Sequence, residues 1–236
     1  MTNRFHLTLL LLAALSAPMA PSVRADDEKV VPREPIGKEW EEISNDDGVL
    51  VHSKEVPGSD VIAFRGEGVI NASLAKVAEI MIDTPRKLEW VAKIAGAKDV
   101  RQIGPLERIE YNHTSSGFFL VRDRDFVFHA KGEVDCKNQK LTFRLKSVNE
   151  PAAPETDKVR GSLNASEYRF TALDGGKKTH MIVEIHADPK GSVPKWLVNL
   201  FQKSWPRNTI EGIRKQAAKP DVKENATVAA ALNCKS

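Results

Sequence analysis

The chain has 236 residues, of which 41% are hydrophobic and 28% are charged, values that fit one globular domain with a single core. Its formal net charge is only +3, and the lysines and arginines are scattered along the sequence. Nucleic-acid binding needs a dense basic surface, so this pattern argues against nucleic acid as a partner.

The N-terminus has the features of a secretory signal. Arg4 supplies positive charge, and Leu7 to Leu15 form an apolar run that is too short to span a bilayer. Val23 and Ala25 are small residues at the two positions that a signal peptidase reads. We predict a signal peptide over residues 1–25, cleavage near Ala25, and a mature protein that is secreted or periplasmic. The alternative is an uncleaved N-terminal anchor.

The two ends of the mature chain differ in composition from its middle. Residues 26–37 are charged and proline-containing, which predicts a linker, and residues 220–236 form an alanine-rich polar tail that we expect to be loosely ordered. Cys136 and Cys234 are the two cysteines, and in an oxidising compartment an even count permits one disulfide. Such a bond would tie the tail to a strand region, whereas the alternative is two unpaired thiols.

The first part of the mature chain changes from β to α periodicity. Short strands are predicted at 39–43, 49–54 and 61–70, and Gly66 and Gly68 in the third favour a bend or close approach by another backbone. Leu74 to Ile82 then has helical apolar spacing, and Thr84-Pro85 starts a second short helix that ends at Val91. Further strands are predicted at 100–103, 107–114, 124–134, 141–145, 161–172 and 179–187.

One long amphipathic helix follows the last strand. Pro194 fits its first turn, and Pro206 is expected to kink it because proline lacks the N–H that a helix interior needs. Its apolar residues recur at spacings near three and four: Trp196, Leu197, Leu200, Phe201, Trp205 and Ile213. Short connections between the strands predict an antiparallel sheet, so the expected fold class is α+β, with a curved antiparallel sheet wrapped around the C-terminal helix.

Sequence patterns for catalysis are missing from the chain. It contains no phosphate-cradling glycine loop, no Cys-x-x-Cys and no His-Glu-x-x-His, and its six histidines are scattered. We therefore predict no enzyme activity, no catalytic residues, no metal and no cofactor.

Two motifs resemble the START family, the lipid-transfer domains related to steroidogenic acute regulatory protein. One is Arg124-Asp125-Phe126-Val127 at a strand start, and the other is carried in the last helix by Gly191, Pro194, Trp196, Leu197, Asn199 and Pro206. The resemblance covers residues 38–219 and suggests a secreted bacterial-type member. It implies the helix-grip fold, with a lipid or sterol-like ligand between the sheet and the last helix, which would act as a lid.

Strand parity and the resemblance together give a set of candidate lipid-binding residues. They are Tyr111, His113, Phe126, Phe128, Phe143, Trp196, Leu200 and Phe201. Tyr111 and His113 are expected to hydrogen-bond the polar group of the ligand. Sterol-binding members of the family carry a buried acidic–arginine pair, whose positions fall near Tyr111 and at Ala130, so that pair is expected to be absent here.

The leading functional interpretation is a monomer that binds a lipid or other hydrophobic ligand, for transfer or sensing. Phe118, Phe119 and Leu120 form an apolar triplet that would make transient contact with a membrane, the alternative being core packing. Two other functions stay open at this point. One is a helix-grip enzyme of the cyclase or hydrolase type, and the other is a scaffold with a filled core that binds a protein partner.

Overall fold

The computed structural model describes residues 33–193 and 195–234, and it describes no side chain at 195–197 or 199–202. The predicted signal peptide and most of the predicted linker therefore lie outside the described residues. Within the described part, no helix is both long enough and apolar enough to cross a membrane.

In the described part of the chain, ten strands form one sheet. They are Glu41–Asp46 (β1), Val49–Lys54 (β2), Ala63–Ile70 (β3), Ile94–Gly104 (β4), Glu107–Thr114 (β5), Arg124–Asp135 (β6), Lys140–Ser147 (β7), Val159–Arg160 (β8), Ser162–Leu173 (β9) and Lys178–Asp188 (β10). Their spatial order is β1-β2-β3-β10-β9-β7-β6-β5-β4, and all these neighbours are antiparallel. The predicted antiparallel sheet is confirmed, with one addition. The two-residue strand β8, which is too short for periodicity to reveal, pairs in parallel with the start of β6.

The helices lie after β3 and at the C-terminus. They are Leu74–Ile82 (α1), the 3₁₀ helix Thr84–Glu89, Lys195–Ala217 (α2) and Ala226–Leu232 (α3), and a further one-turn 3₁₀ segment, Asp174–Gly176, joins β9 to β10. The Ser73 hydroxyl accepts a hydrogen bond from the Lys76 N–H and so caps α1. Helix α2 packs on β2, β3 and β10 and also contacts α1.

The close approach predicted at Gly66 and Gly68 is confirmed, and the approaching element is α2. A Cβ added to Gly66 would lie 2.6 Å from the Cβ of Pro206, and one added to Gly68 would lie 3.2 Å from a methyl group of Ile210. Pro206 is buried at this contact, inside a helix that continues through it. The two glycines thus set how near α2 lies to the sheet.

Half of the concave face is a packed core. Helix α1 and the second half of α2 cover it, with Ile210 and Ile213 fully buried. The strands contribute large apolar side chains here: Val49, Val51, Ile70, Leu141, Phe143, Phe170, Met181 and Val183. The opposite half of the same face, toward the start of β6 and the end of β10, is not filled by this core.

The C-terminal segment is packed, so the expectation of a loosely ordered tail is wrong for residues 220–234. Asn225 caps α3 by accepting from the Val228 N–H at 2.9 Å, and Val228 is fully buried beside α1. Cys136 and Cys234 form a disulfide with their Cα atoms 5.3 Å apart. This bond fixes the end of the tail to the turn between β6 and β7.

Replacing both Cys136 and Cys234 with serine should lower the free energy of unfolding by roughly 2–5 kcal/mol. The cysteines are 98 residues apart in sequence, so the crosslink restricts a large part of the unfolded chain. Urea unfolding measures the change, with Lys137→Ser, an exposed substitution in the same turn, as the control. Equal stability of the double serine variant and the wild type would contradict this role.

Candidate functional site: a cavity between the sheet and the last helix

A cavity of about 290 Å³ occupies the uncovered half of the concave face. It lies between the inner surfaces of β6, β7, β9 and β10 and the first half of α2. Six apolar side chains make up much of its wall: Phe126, Phe128, Leu145, Leu163, Ile185 and Trp205. The size is near the lower end of the range for ligand sites, about 300–1,000 Å³, and the apolar wall is typical of such sites.

Small residues on two neighbouring strands leave this space open. Ser166 on β9 and Ala187 on β10 line the cavity at positions where the packed half carries large side chains. Tyr168 stands at the boundary, with its ring in an edge contact with Trp205 at a centroid distance of 6.2 Å. Burial raises the pKa of Tyr168, so the phenol stays neutral and adds no charge to the cavity wall.

A buried cluster of charges lies at one side of the cavity. Glu110, fully buried on β5, accepts hydrogen bonds from Lys87 in the 3₁₀ helix and from Arg108, whose Nε lies 3.1 Å from Glu110 Oε2. Arg108 also donates from Nη2 to the Met81 carbonyl at 2.8 Å and pairs with Asp99 at 3.2 Å. Two cations thus face two carboxylates, and the cluster has no net charge.

Lys87 is the member of this cluster that lines the cavity. Burial lowers its pKa, while the nearby carboxylate of Glu110 acts in the opposite direction. Its Nζ also lies 6.0 Å from the centroid of the Phe128 ring. An ammonium group has three donors, and within the described part of the chain Glu110 is the only group that accepts one of them. Lys87 can therefore donate to a polar atom of a bound molecule.

The register of β5 and β6 corrects the predicted orientation of Tyr111 and His113. Asn112 lies opposite Phe126, and Glu110 lies opposite Phe128, so these four side chains share the inner face. Tyr111 and His113 occupy the alternate positions and point to the outer face. The prediction assigned an inner face to each strand separately, without the register that links β5 to β6. A shift of one residue in that register moves every side chain of a strand to the other face of the sheet.

Tyr111 and His113 have structural partners on the outer face. Tyr111 packs on a small cluster of Ile109, Val127 and Ala153. His113 Nε2 lies 2.7 Å from Asp123 Oδ2, and the other oxygen of Asp123 accepts from the Ser116 N–H at 2.9 Å. The Ser116 N–H and then His113 lower the pKa of Asp123. His113 therefore supports the loop at the cavity mouth and does not contact the cavity itself.

The other predicted site residues divide into three groups. Phe126 and Phe128 line the cavity, and their contact with a ligand stays a prediction. Phe143 has the same inward orientation but lies farther along the sheet, buried in the packed core. The side chains of Trp196, Leu200 and Phe201 lie outside the described residues, whereas Trp205 lines the cavity.

The family's acidic–arginine pair was expected to be absent, and Ala130 indeed supplies no cation at the arginine position. A different buried group of charges is present: Glu110, next to Tyr111, supplies a carboxylate, and Lys87 and Arg108 supply the cations. The sequence did carry a signal for this cluster, because Arg108 and Glu110 are two residues apart in one strand and so share a face. In the structure Arg108 lies opposite Ala130 and Glu110 opposite Phe128, which places both on the inner face. Lys87 comes from another element, and its sequence surroundings carried no such signal.

An apolar loop lies at the mouth of the cavity. It joins β5 to β6, and its residues Ser116, Phe118 and Val121 line the opening. Phe119 is 102% exposed and Leu120 is 90% exposed, so the interpretation of this triplet as core packing is wrong for these two side chains. Nothing among residues 33–193 and 195–234 forms a group of three or more His, Cys, Asp or Glu that is suited to a metal ion.

Comparisons with known proteins agree with this architecture. The START domain family model matches residues 22–216. An uncharacterized protein of Pseudomonas aeruginosa is 27% identical over 184 residues, which cover 78% of this chain and 89% of that one. The phosphatidylcholine transfer protein of Bos taurus is 22% identical over 182 residues, which cover 76% and 84%.

A solved structure shows the same fold. The human StAR-related lipid transfer protein 5 superimposes with a TM-score of 0.70 at 20% sequence identity, covering 76% of this chain and 86% of that chain. The match of the family model over most of the sequence, together with the helix-grip arrangement of the sheet and α2, establishes the relationship. This chain belongs to the START domain family.

Proposed function

We propose that this protein binds one lipid, or a similar hydrophobic molecule, in the cavity between the sheet and α2 and transfers or senses it. The observation that carries the proposal is the apolar cavity itself, which is lined by Phe126, Phe128 and Trp205. Burying apolar surface contributes roughly 25 cal/mol per Å² before the costs of association. A phosphatidylcholine transfer protein among the relatives supports the same kind of ligand.

We place the polar end of the ligand next to Lys87. That ammonium group offers donors into an otherwise apolar space, and Asn112 and Thr114 add polar groups to the same wall. At Lys87, where Glu110 and Asp99 already balance the charges of Lys87 and Arg108, a net negative charge on the ligand would find no free counter-charge. A carbonyl, an ester or a hydroxyl group fits this position better.

The side chains that line the cavity fit ligand binding better than they fit catalysis. At the wall, Lys87 is held in an ion pair and Arg124 donates to backbone carbonyls, and the hydroxyl of Ser166 donates to the Glu184 carbonyl at 3.3 Å. Nucleophilic catalysis needs a base that accepts the proton of the nucleophile, and Ser166 has a carbonyl in that place. We therefore propose ligand binding without covalent chemistry.

Lipid uptake from vesicles tests the proposal. The protein is incubated with vesicles of phosphatidylcholine, phosphatidylethanolamine, phosphatidylglycerol and cholesterol, separated from them, and extracted for lipid analysis by mass spectrometry. About one lipid molecule per chain is expected, since the proposal places a single ligand in this cavity. Protein that returns from all vesicles without lipid would contradict the proposal.

The mouth loop is proposed to make transient contact with the membrane that supplies the ligand. Phe119 and Leu120 present their full side chains to solvent, and the exposed Arg122 adds positive charge nearby, while Lys190 is paired with Asp188 at 2.7 Å. The Arg124 side chain donates to the carbonyls of both Arg122 and Lys190, which places the two basic residues close together. Apolar side chains flanked by basic ones suit an anionic lipid surface.

Replacing both Phe119 and Leu120 with serine should reduce association with phosphatidylglycerol-containing vesicles about tenfold or more, because each side chain contributes roughly 1.5–3 kcal/mol when fully buried. Co-sedimentation with vesicles measures the effect. Ile103→Ser is the matched control, since Ile103 is also an exposed large apolar residue, at 49%, but lies at the far end of β4. Unchanged co-sedimentation of the double variant would rule out this loop as the contact.

We also propose that the mature protein acts as a monomer in an oxidising compartment, after export and cleavage near Ala25. The apolar run Leu7 to Leu15 supports export. The disulfide between Cys136 and Cys234 supports the same location, because such bonds persist outside reducing compartments. Sequencing the N-terminus of protein recovered from the periplasm or medium tests this, and an intact N-terminus in a cytosolic fraction would contradict it.

A further inference from the structure

The segment that enters α2 makes a sharp reversal at the cavity mouth. It consists of residues 189–193, directly after β10, and Pro189 and Val193 line the cavity. Lys190 and Gly191 both have positive φ values, of 51° and 73°. The Lys190 N–H donates to Asp188 Oδ1 at 2.8 Å, and the Val193 N–H donates to the Gly191 carbonyl at 3.0 Å. These bonds shape the turn and connect it only to the adjoining end of β10.

Arg124 attaches this segment to the sheet. Its guanidinium donates from Nε to the Pro189 carbonyl at 3.3 Å and from Nη2 to the Lys190 carbonyl at 3.2 Å. Its Nη1 donates to the Arg122 carbonyl. Apart from the contacts of Lys190 with the adjoining Asp188, Arg124 supplies all the hydrogen bonds among the described residues that join 189–193 to another part of the fold.

The guanidinium is buried and has carbonyl partners in place of a carboxylate. Arg124 is only 8% exposed, it lines the cavity, and burial lowers its pKa. A cation kept in such a place costs desolvation free energy, which charge-assisted hydrogen bonds offset. Gly191 lies against the same group: a Cβ added to it would be 3.6 Å from Arg124 Nη2 and 3.3 Å from a methyl of Val159.

The start of β6, which carries Arg124, is held in place by several contacts. The next residue, Asp125, is fully buried and is held by Arg160 Nε at 2.7 Å and by the Thr156 hydroxyl at 2.8 Å. Burial opposes ionisation of Asp125, yet these hydrogen bonds outweigh it, and the pKa of Asp125 is lowered. Strand β8 pairs with Arg124 and Asp125 and completes the support.

From these contacts we infer that Arg124 is a positioning residue that latches the entry of α2 over the cavity and sets the rate at which ligand exchanges. This inference rests on the proposed function. Opening the mouth between β6 and the 189–193 segment breaks the two hydrogen bonds from Arg124 to Pro189 and Lys190. The closed state is favoured by these bonds with or without ligand, so the latch controls the rate of exchange and leaves affinity nearly unchanged.

The neutral dye Nile red is the probe, because it reports an apolar cavity whatever the natural lipid is. Arg124→Met should raise both the association and the dissociation rate of Nile red about tenfold or more in stopped-flow fluorescence, with the Kd within about twofold of the wild type. Arg124→Lys, which keeps the charge and can reach one carbonyl, should be intermediate. Arg122→Met removes an exposed neighbouring arginine and should exchange at the wild-type rate.

Hydrogen–deuterium exchange gives a readout that does not need a ligand. In Arg124→Met, the amides of Lys190 and Val193 should exchange faster, while those of β6 and β10 keep their protection. Unchanged dye kinetics together with unchanged protection of 189–193 would overturn the latch. Failure of the wild type to take up lipid or dye would instead overturn the proposed function, and the amide exchange would still decide whether Arg124 holds the segment.

Discussion

Replacing Glu110 with glutamine should lower the free energy of unfolding by about 3–5 kcal/mol, the largest effect that we expect from one nearly isosteric change. The carboxylate is fully buried and accepts hydrogen bonds from both Lys87 and Arg108. Glutamine keeps the shape and one acceptor, but it leaves two buried cations with only the partly exposed Asp99 as counter-charge. Urea unfolding of the variant at neutral pH measures the loss.

The matched control lies on the same strand. Glu107 pairs with His129 at 2.7 Å, but both side chains are about one-third exposed, so Glu107→Gln should cost less than about 1 kcal/mol. Similar losses for the two variants would contradict the buried cluster.

The pH dependence of the Glu110→Gln variant provides a further check. Burial already lowers the pKa of Lys87 in the folded state, and removing the carboxylate takes away a group that opposes this shift. Between the folded and unfolded pKa values of the lysine, the unfolded chain binds more protons, so stability rises with pH. Part of the lost stability should therefore return in the alkaline range, below the ordinary pKa of lysine.

Replacing Ser166 with phenylalanine should abolish ligand binding while the protein stays folded. Ser166 lines the cavity on β9, opposite Leu145 on β7 and Ile185 on β10, so a phenyl ring there occupies space that a ligand needs. We expect at least about a hundredfold loss of affinity for Nile red. Overpacking costs about 1–3 kcal/mol or more, and the dye also loses its contacts with the part of the wall that the ring covers. Equilibrium fluorescence titration measures it.

Ala165→Phe is the control for this substitution. Ala165 precedes Ser166 in β9 and is exposed, so the same ring placed there leaves the cavity unchanged. Wild-type affinity in both variants would mean that the dye binds elsewhere.

Local patterns were sufficient for much of the fold. Helix α1 begins and ends at Leu74 and Ile82, as its apolar spacing predicts, and a serine before it supplies the cap. Strands β5 and β6 begin at the predicted residues for similar reasons. These features depend on neighbours in sequence, which makes them accessible to periodicity.

The cavity wall depends on relations between distant elements, and there prediction from single segments failed. Tyr111 was placed inward because strand parity was assigned without the register that puts Asn112 opposite Phe126. The buried partner of Glu110 comes from a 3₁₀ helix 23 residues earlier, and nothing in the local sequence of Lys87 indicates that contact. The same holds for the tail, since a disulfide and packing on α1 order an alanine-rich segment that has weak propensity signals of its own.

Pro206 now has a defined contact, because its ring lies on Gly66 at the point where α2 approaches β3. The kink expected at this proline stays a prediction, whereas the contact with Gly66 fixes the helix against the sheet. Trp205, next to this contact, forms part of the cavity wall, and Arg124 holds residues 189–193 at the cavity mouth.

Native mass spectrometry of the protein as purified from its expression host tests whether the cavity holds a lipid. We expect the wild type and Ala165→Phe to carry an additional mass equal to one hydrophobic small molecule per chain, which organic extraction removes and identifies. Ser166→Phe, with its cavity filled, should show the mass of the bare chain. A bare chain for all three proteins, with no mass gained after exposure to lipid vesicles, would contradict this expectation.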